Sequence, residues 1–229
     1  MADGSEAASA APRDRIGAVA AIGLGVALYS HYYDRFQLPP RFPGSVGLIV
    51  GGDVLPLLVL PVLAVWLVFH DQLGRYGWRW PGVRSFAIAS LAGYAAVVPF
   101  VLWFAQRPEF QAFYPSPAFP PARQHAVGLA FLWLLHHGPQ LFSTEFCFRG
   151  FLLFPLARQL GIARAIVVTT APYVLLHIDK PPLELLQAAW GGVVFGVVAW
   201  RTGSFLPAFA AHWAIAVTMD WLCYQHLVH

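Results

Sequence analysis

Apolar residues run almost unbroken over positions 16–30, 46–69, 84–105, 126–157, 164–177, 182–200 and 204–226, and the segments between these runs hold Pro, Gly or Arg. Runs of this length, without the two-residue alternation of half-buried strands, predict helices that are hydrophobic all round. Crossing the hydrocarbon core of a bilayer takes about 20 apolar residues. The pattern therefore predicts an all-α, multi-pass transmembrane helix bundle of about seven spans, within a range of six to eight. The range reflects runs that fall short of full length and a fourth run long enough to break at Gly138-Pro139.

Composition narrows the picture. Of 229 residues, 58% are hydrophobic, 15% aromatic and only 11% charged, against roughly a quarter charged in soluble domains. After a polar, small-residue tail over 1–15, the chain reads as a single transmembrane domain over 16–229. Its first run is a retained span, because no clear A-x-A cleavage site precedes "HYYDRF". The inter-run segments "HDQLGRYGWRWPGVR" and "QRPEFQAFYPSPAFPPARQH" carry the Tyr, Trp and Arg that suit the headgroup zone. The net charge of +3 comes from 14 scattered Lys and Arg with no basic block, which excludes nucleic acid as a partner and leaves the lipid bilayer as one. The two cysteines form neither a C-x-x-C motif nor a Cys/His ladder, so neither a disulfide framework nor a zinc finger follows.

The candidate chemistry lies in the few ionisable residues inside the runs. Such a group costs several kcal/mol at membrane depth unless it faces the bundle interior with a partner. In "STEFCFRGFLL", Glu145 and Arg149 are spaced i, i+4, about 40° apart around a helix and close enough to pair. His177 ends the run "APYVLLHIDK", and His212 is the lone ionisable residue of "PAFAAHWAIAV". A single helical histidine is more often a packed core residue than a catalyst; three ionisable positions on separate runs together suggest a site. Asp53 and Asp220 are further carboxylates that could partner a histidine. His136, His137 and Gln140 flank the expected break, where they could line a cavity, though bonding freed backbone groups is the plainer reading.

These elements, in this order and spacing, resemble the CAAX protease and bacteriocin-processing (CPBP, or Abi) family of intramembrane glutamic endopeptidases. The first family motif, Glu-Glu-x-x-x-Arg, is met by Thr144 through Arg149, followed by Gly150. The second, Phe-x-x-x-His, is met by Tyr173 through His177. The third, His-x-x-x-Asn, is met at His212. Between the last two, "GGVVFGVVAWRTGSFLPAFAAH" resembles the family's small-residue helix and Thr-Gly-Ser turn. The motif match runs from Leu141 to Ala216, inside a family-like core over about 126–226.

The resemblance implies an intramembrane endopeptidase that hydrolyses a peptide bond in the tail or leader of a membrane-associated or lipidated protein. Water would be activated by glutamate and histidine, and the third motif would stabilise the oxyanion. The implied catalytic residues are Glu145, His177 and His212, supported by Arg149, Thr144 and Tyr173, in an integral protein of the bacterial plasma membrane. Two positions depart from the pattern. Thr144 stands where the family has its first glutamate, and Ala216 where it has asparagine. Threonine is no base at neutral pH, and adjacent helical residues point about 100° apart, so Glu145 does not simply inherit its neighbour's direction. Either the helix turns Glu145 toward the histidines, or Glu145 and Arg149 are a structural pair beside a weakened site. The departures leave open a non-catalytic relative that binds a membrane peptide or lipidated tail as chaperone, immunity factor or scaffold. One carboxylate and two histidines also make a zinc ligand set, but with no H-E-x-x-H the expectation is a site without metal or other cofactor. Cys147, three residues after Thr144, could serve as a nucleophile; a small buried hydrophobe is the plainer reading.

Overall fold

The computed structural model describes residues 13–36 and 48–228. Most of the polar tail (1–12) and the Pro-containing stretch 37–47 of the first loop lie outside the described residues. Nine helices and no strand occur among the described residues. They are α1 (Arg13–Phe36), α2 (48–68), α3 (Val83–Phe104), α4 (Pro108–Phe113), α5 (Pro120–Gln124), α6 (126–160), α7 (Ile162–Leu175), α8 (Pro182–Thr202) and α9 (Leu206–Val228). Each of the seven apolar runs is a helix, and the Pro-rich segment before residue 126 folds into the two short ones. The fold is an all-α helical membrane bundle.

Local chemistry sets the boundaries. Pro182 opens α8, where a missing N–H leaves no helical bond unmade, and Gly203 closes it at φ 65°, a left-handed turn that an L side chain resists. Four helical stretches, Val50–Val68, Val83–Phe104, Pro182–Thr202 and Leu206–Val228, are long and apolar enough to cross a membrane. On α3 the side chains of Val83, Ile88, Leu91 and Trp103 are exposed. In water such a surface would aggregate; in a bilayer lipid covers it, and the chain is an integral membrane protein.

One expectation requires correction. The chain does not break at Gly138-Pro139. Pro139 has no N–H to offer the carbonyl one turn back, and the helix absorbs the loss by widening over Leu132–His137, with Gly138 N–H reaching five residues back to Trp133 O. It widens again over Phe146–Leu152, so α6 runs from 126 to 160 without interruption.

Two large cores, with a third small cluster of Ala122, Leu129 and Leu132, hold the bundle. The larger gathers Val26 of α1, Val65 of α2, Phe148 and Phe151 of α6, Tyr173 of α7 and Ala199 of α8. The smaller joins Val97 and Val101 of α3 to Phe195 of α8 and Ala211 and Ile215 of α9. Helix α7 approaches α8 closely through small residues. A Cβ on Gly192 would lie 2.5 Å from Thr170 Cγ2 and one on Gly196 3.0 Å from Ile166 Cγ1, the close backbone contact that drives helix association in lipid. Gly192→Val should therefore lower stability by about 1–3 kcal/mol through overpacking. Thermal unfolding in detergent checks this, and an unchanged midpoint would mean that the contact is not stabilising.

Candidate active site

Three helices supply the site. Thr144, Glu145 and Arg149 come from α6, Tyr173 from the last turn of α7 with His177 just beyond it, and His212 from α9. Glu145 is fully buried. Its Oε1 accepts a hydrogen bond from His212 Nδ1 at 2.7 Å, and its Oε2 stands 3.3 Å from Arg149 Nε. The Arg149 guanidinium carbon sits 3.9 Å from the centre of the Tyr173 ring, a cation–π contact with little water to weaken it. Tyr173 in turn takes His177 Nδ1–H on its backbone carbonyl at 3.1 Å, and its ring packs edge-on to both His177 and His212. Phe195 stacks on His212, with centroids 5.2 Å apart.

Continuous contact thus joins His212, Glu145, Arg149, Tyr173 and His177. Glu145 reaches His212 directly, but it is linked to His177 only indirectly, through Tyr173 and either Arg149 or His212. The pattern fixes the tautomers. An ionised carboxylate and a carbonyl only accept, so both imidazoles carry a proton on Nδ1 and keep Nε2 for the space they face.

That space is a pair of adjoining cavities. The smaller, of about 80 Å³, is lined by Tyr173, His177, Gln187, His212 and Ala216 among others. The larger, of about 450 Å³, is lined by Ser30, Asp53, Gln140, Thr144, His177 and His212 among others. Glu145 lines neither. Thr144 does face the larger cavity, and its Oγ1 donates to Gln140 O at 2.9 Å, so a hydroxyl occupies the position where the motif resemblance expects a carboxylate. Ala216 brings only a methyl group to the smaller cavity.

Lys180 and Glu184, charged residues at the cavities, were not singled out from the sequence. Lys180 lines both cavities and pairs with Glu184 at 2.8 Å, while Tyr114 Oη donates to Glu184 at 2.7 Å. Burial first, and then the Glu184 charge, push the Tyr114 phenol well above its usual range, so it remains a donor. A signal for this cluster was present: "DKPPLE" sets Lys180 and Glu184 four apart at a Pro-marked helix start.

The remaining candidates sort by position. His137 Nε2 bonds Asp220 Oδ2 at 2.9 Å, Trp133 Nε1 donates to the same oxygen, and His136 Nδ1 lies 3.2 Å from His137 Nδ1. Asp220 thus partners His137 across the bundle and not His212. Cys147 is packed in the larger core and lines neither cavity. Among the described residues, no group of three or more His, Cys, Asp or Glu converges as metal ligands would.

Residues 126–218, somewhat under half of the chain, match the model of the family described as type II CAAX prenyl endopeptidase Rce1-like. No curated protein and no solved structure matches. The matched segment begins with α6 and ends within α9, so it contains Thr144, Glu145, Arg149, Tyr173, His177 and His212. The resemblance to the CAAX protease family, read from three short motifs, is borne out over that segment. Members of this family are proteases that act on prenylated or membrane protein substrates.

Proposed function

We propose that this chain is an intramembrane endopeptidase that hydrolyses a peptide bond in the tail or leader of a membrane-associated or lipidated protein, in the bacterial plasma membrane. One observation carries the reading: two histidines, one just past α7 and one on α9, each held through Nδ1, line the same cavities within the segment that matches the protease family.

In this reading an extended peptide enters the larger cavity and its scissile carbonyl lies between the imidazoles. His177, with Nε2 unencumbered, passes the proton released by the attacking water on to the leaving amine. His212 acts opposite. When it carries a proton on Nε2 it donates to the developing oxyanion, and Glu145 stabilises the imidazolium from behind, as a buried carboxylate does for the histidine of a serine-protease triad. Glu145 is then a positioning residue. Gln187 borders the smaller cavity, and its Nε2 amide is the candidate second donor in place of an asparagine at 216.

A second reading rests on Thr144. A hydroxyl where the family motif has glutamate suits a relative that binds a lipidated tail without cutting it. The purified chain in proteoliposomes, given lipidated peptides with short C-terminal extensions, separates the two. Endopeptidase function predicts a truncated lipidated product by mass spectrometry; saturable binding with no product would establish the non-catalytic reading. We also propose that the reaction needs no metal. Product formation should survive prolonged EDTA or 1,10-phenanthroline treatment, and its loss on chelation with recovery on zinc addition would refute that part.

A further inference from the structure

The hydrolytic reading leaves a chemical gap. Water attacking an amide is helped by a carboxylate, and Glu145 does not face the cavity: one oxygen is bonded to His212, the other opposes Arg149, and the residue lines neither space. Thr144 faces it with the wrong group. A different carboxylate is present. Asp53, carried by α2 outside the matched segment, lines the larger cavity together with Thr144, His177 and His212. Its surroundings tie it to position 144. Gln140 Nε2 donates to Asp53 Oδ2 at 3.2 Å, while the backbone carbonyl of the same Gln140 takes the Thr144 hydroxyl. One residue therefore spaces the threonine from the aspartate.

We infer that Asp53 is the general base of this site, supplying from α2 the carboxylate that residue 144 lacks; the inference rests on the endopeptidase reading above. Asp53 takes one proton from the bound water as the water oxygen forms a bond to the scissile carbonyl carbon, and the carbonyl π pair moves onto its oxygen. When the tetrahedral intermediate collapses, the C–N bond breaks and the amine nitrogen takes up a proton relayed from Asp53 through His177. Water is consumed, one acid and one amine are formed, and Asp53 returns ionised. Gln140 orients the carboxylate. The other titratable groups facing this cavity are His31 of α1, Tyr173 of α7, His177, Asp179 and Lys180 after α7, and His212 of α9.

The experiment compares variants in proteoliposomes with the same lipidated peptide. Asp53→Asn should lower kcat at least 100-fold with KM within threefold of wild type. Adding Thr144→Glu to that variant should recover at least tenfold, because the new carboxylate enters the same cavity; a merely structural role for Asp53 would give no such rescue. Asp53→Glu keeps the charge and should remain active with a displaced acid limb in its pH–kcat profile, and this variant carries the test if Asp53→Asn does not fold. Asp53→Asn turning over within threefold of wild type, or an acid limb unmoved in Asp53→Glu, overturns the assignment while leaving the endopeptidase reading intact. A wild-type chain that cleaves nothing removes both.

Discussion

His177→Ala should lower kcat for a lipidated peptide by about 10²–10⁴-fold, the range typical of a lost general acid–base group. KM should move little, because the imidazole contributes a small part of a cavity of about 450 Å³. The companion variant Glu145→Gln makes the assignment more stringent. Its amide oxygen can still accept from His212 Nδ1, so the ring keeps its tautomer, but the charge that stabilises the imidazolium is gone. Its loss should fall on kcat and be smaller than that of His177→Ala. Single-turnover and steady-state kinetics on both variants supply the check. If His177→Ala cleaves at the wild-type rate, the imidazole is a packing residue; if Glu145→Gln is the more damaging change, the carboxylate contacts the reaction itself.

Much of the fold was legible because lipid imposes a simple rule. With no water to satisfy the backbone, spanning segments are helices, and seven apolar runs became seven helices. What failed was local. Gly138-Pro139 reads as a break when one assumes that a helix has only i→i+4 bonds to lose, whereas α6 redistributes them into wider turns on either side of Gly138–Glu145. The i, i+4 spacing correctly suggested that Glu145 could reach Arg149, and the motif order brought His212 and Tyr173 into consideration. Spacing along one helix says nothing of which neighbour a carboxylate meets across the bundle. Hence the bond to His212, the isolation from His177 and the pairing of Asp220 with His137 emerged only in three dimensions. Asp53 was visible as a buried acid, but its helix lies more than seventy residues before the motifs, and nothing in the sequence ties it to Gln140.

Arg149→Met should destabilise the protein by about 3–5 kcal/mol, the usual result of removing one partner from a buried ion pair. Glu145 is wholly enclosed, and without the guanidinium its charge has only His212 to face it. The substitution also removes the cation that rests on Tyr173, whose carbonyl holds His177, so the two halves of the site keep only the ring contact of Tyr173 with His212. In detergent the midpoint of thermal unfolding should fall by on the order of 10 °C. The double variant Glu145→Gln/Arg149→Met separates charge from shape. It removes both ions together, and replacing a whole buried pair by neutral groups is often tolerated, so it should regain most of the lost stability. It should nevertheless stay slow, because His212 then lacks its carboxylate. A double variant no more stable than Arg149→Met would show that packing of the long side chain against Tyr173 and Phe195, and not compensation of the Glu145 charge, is what Arg149 contributes.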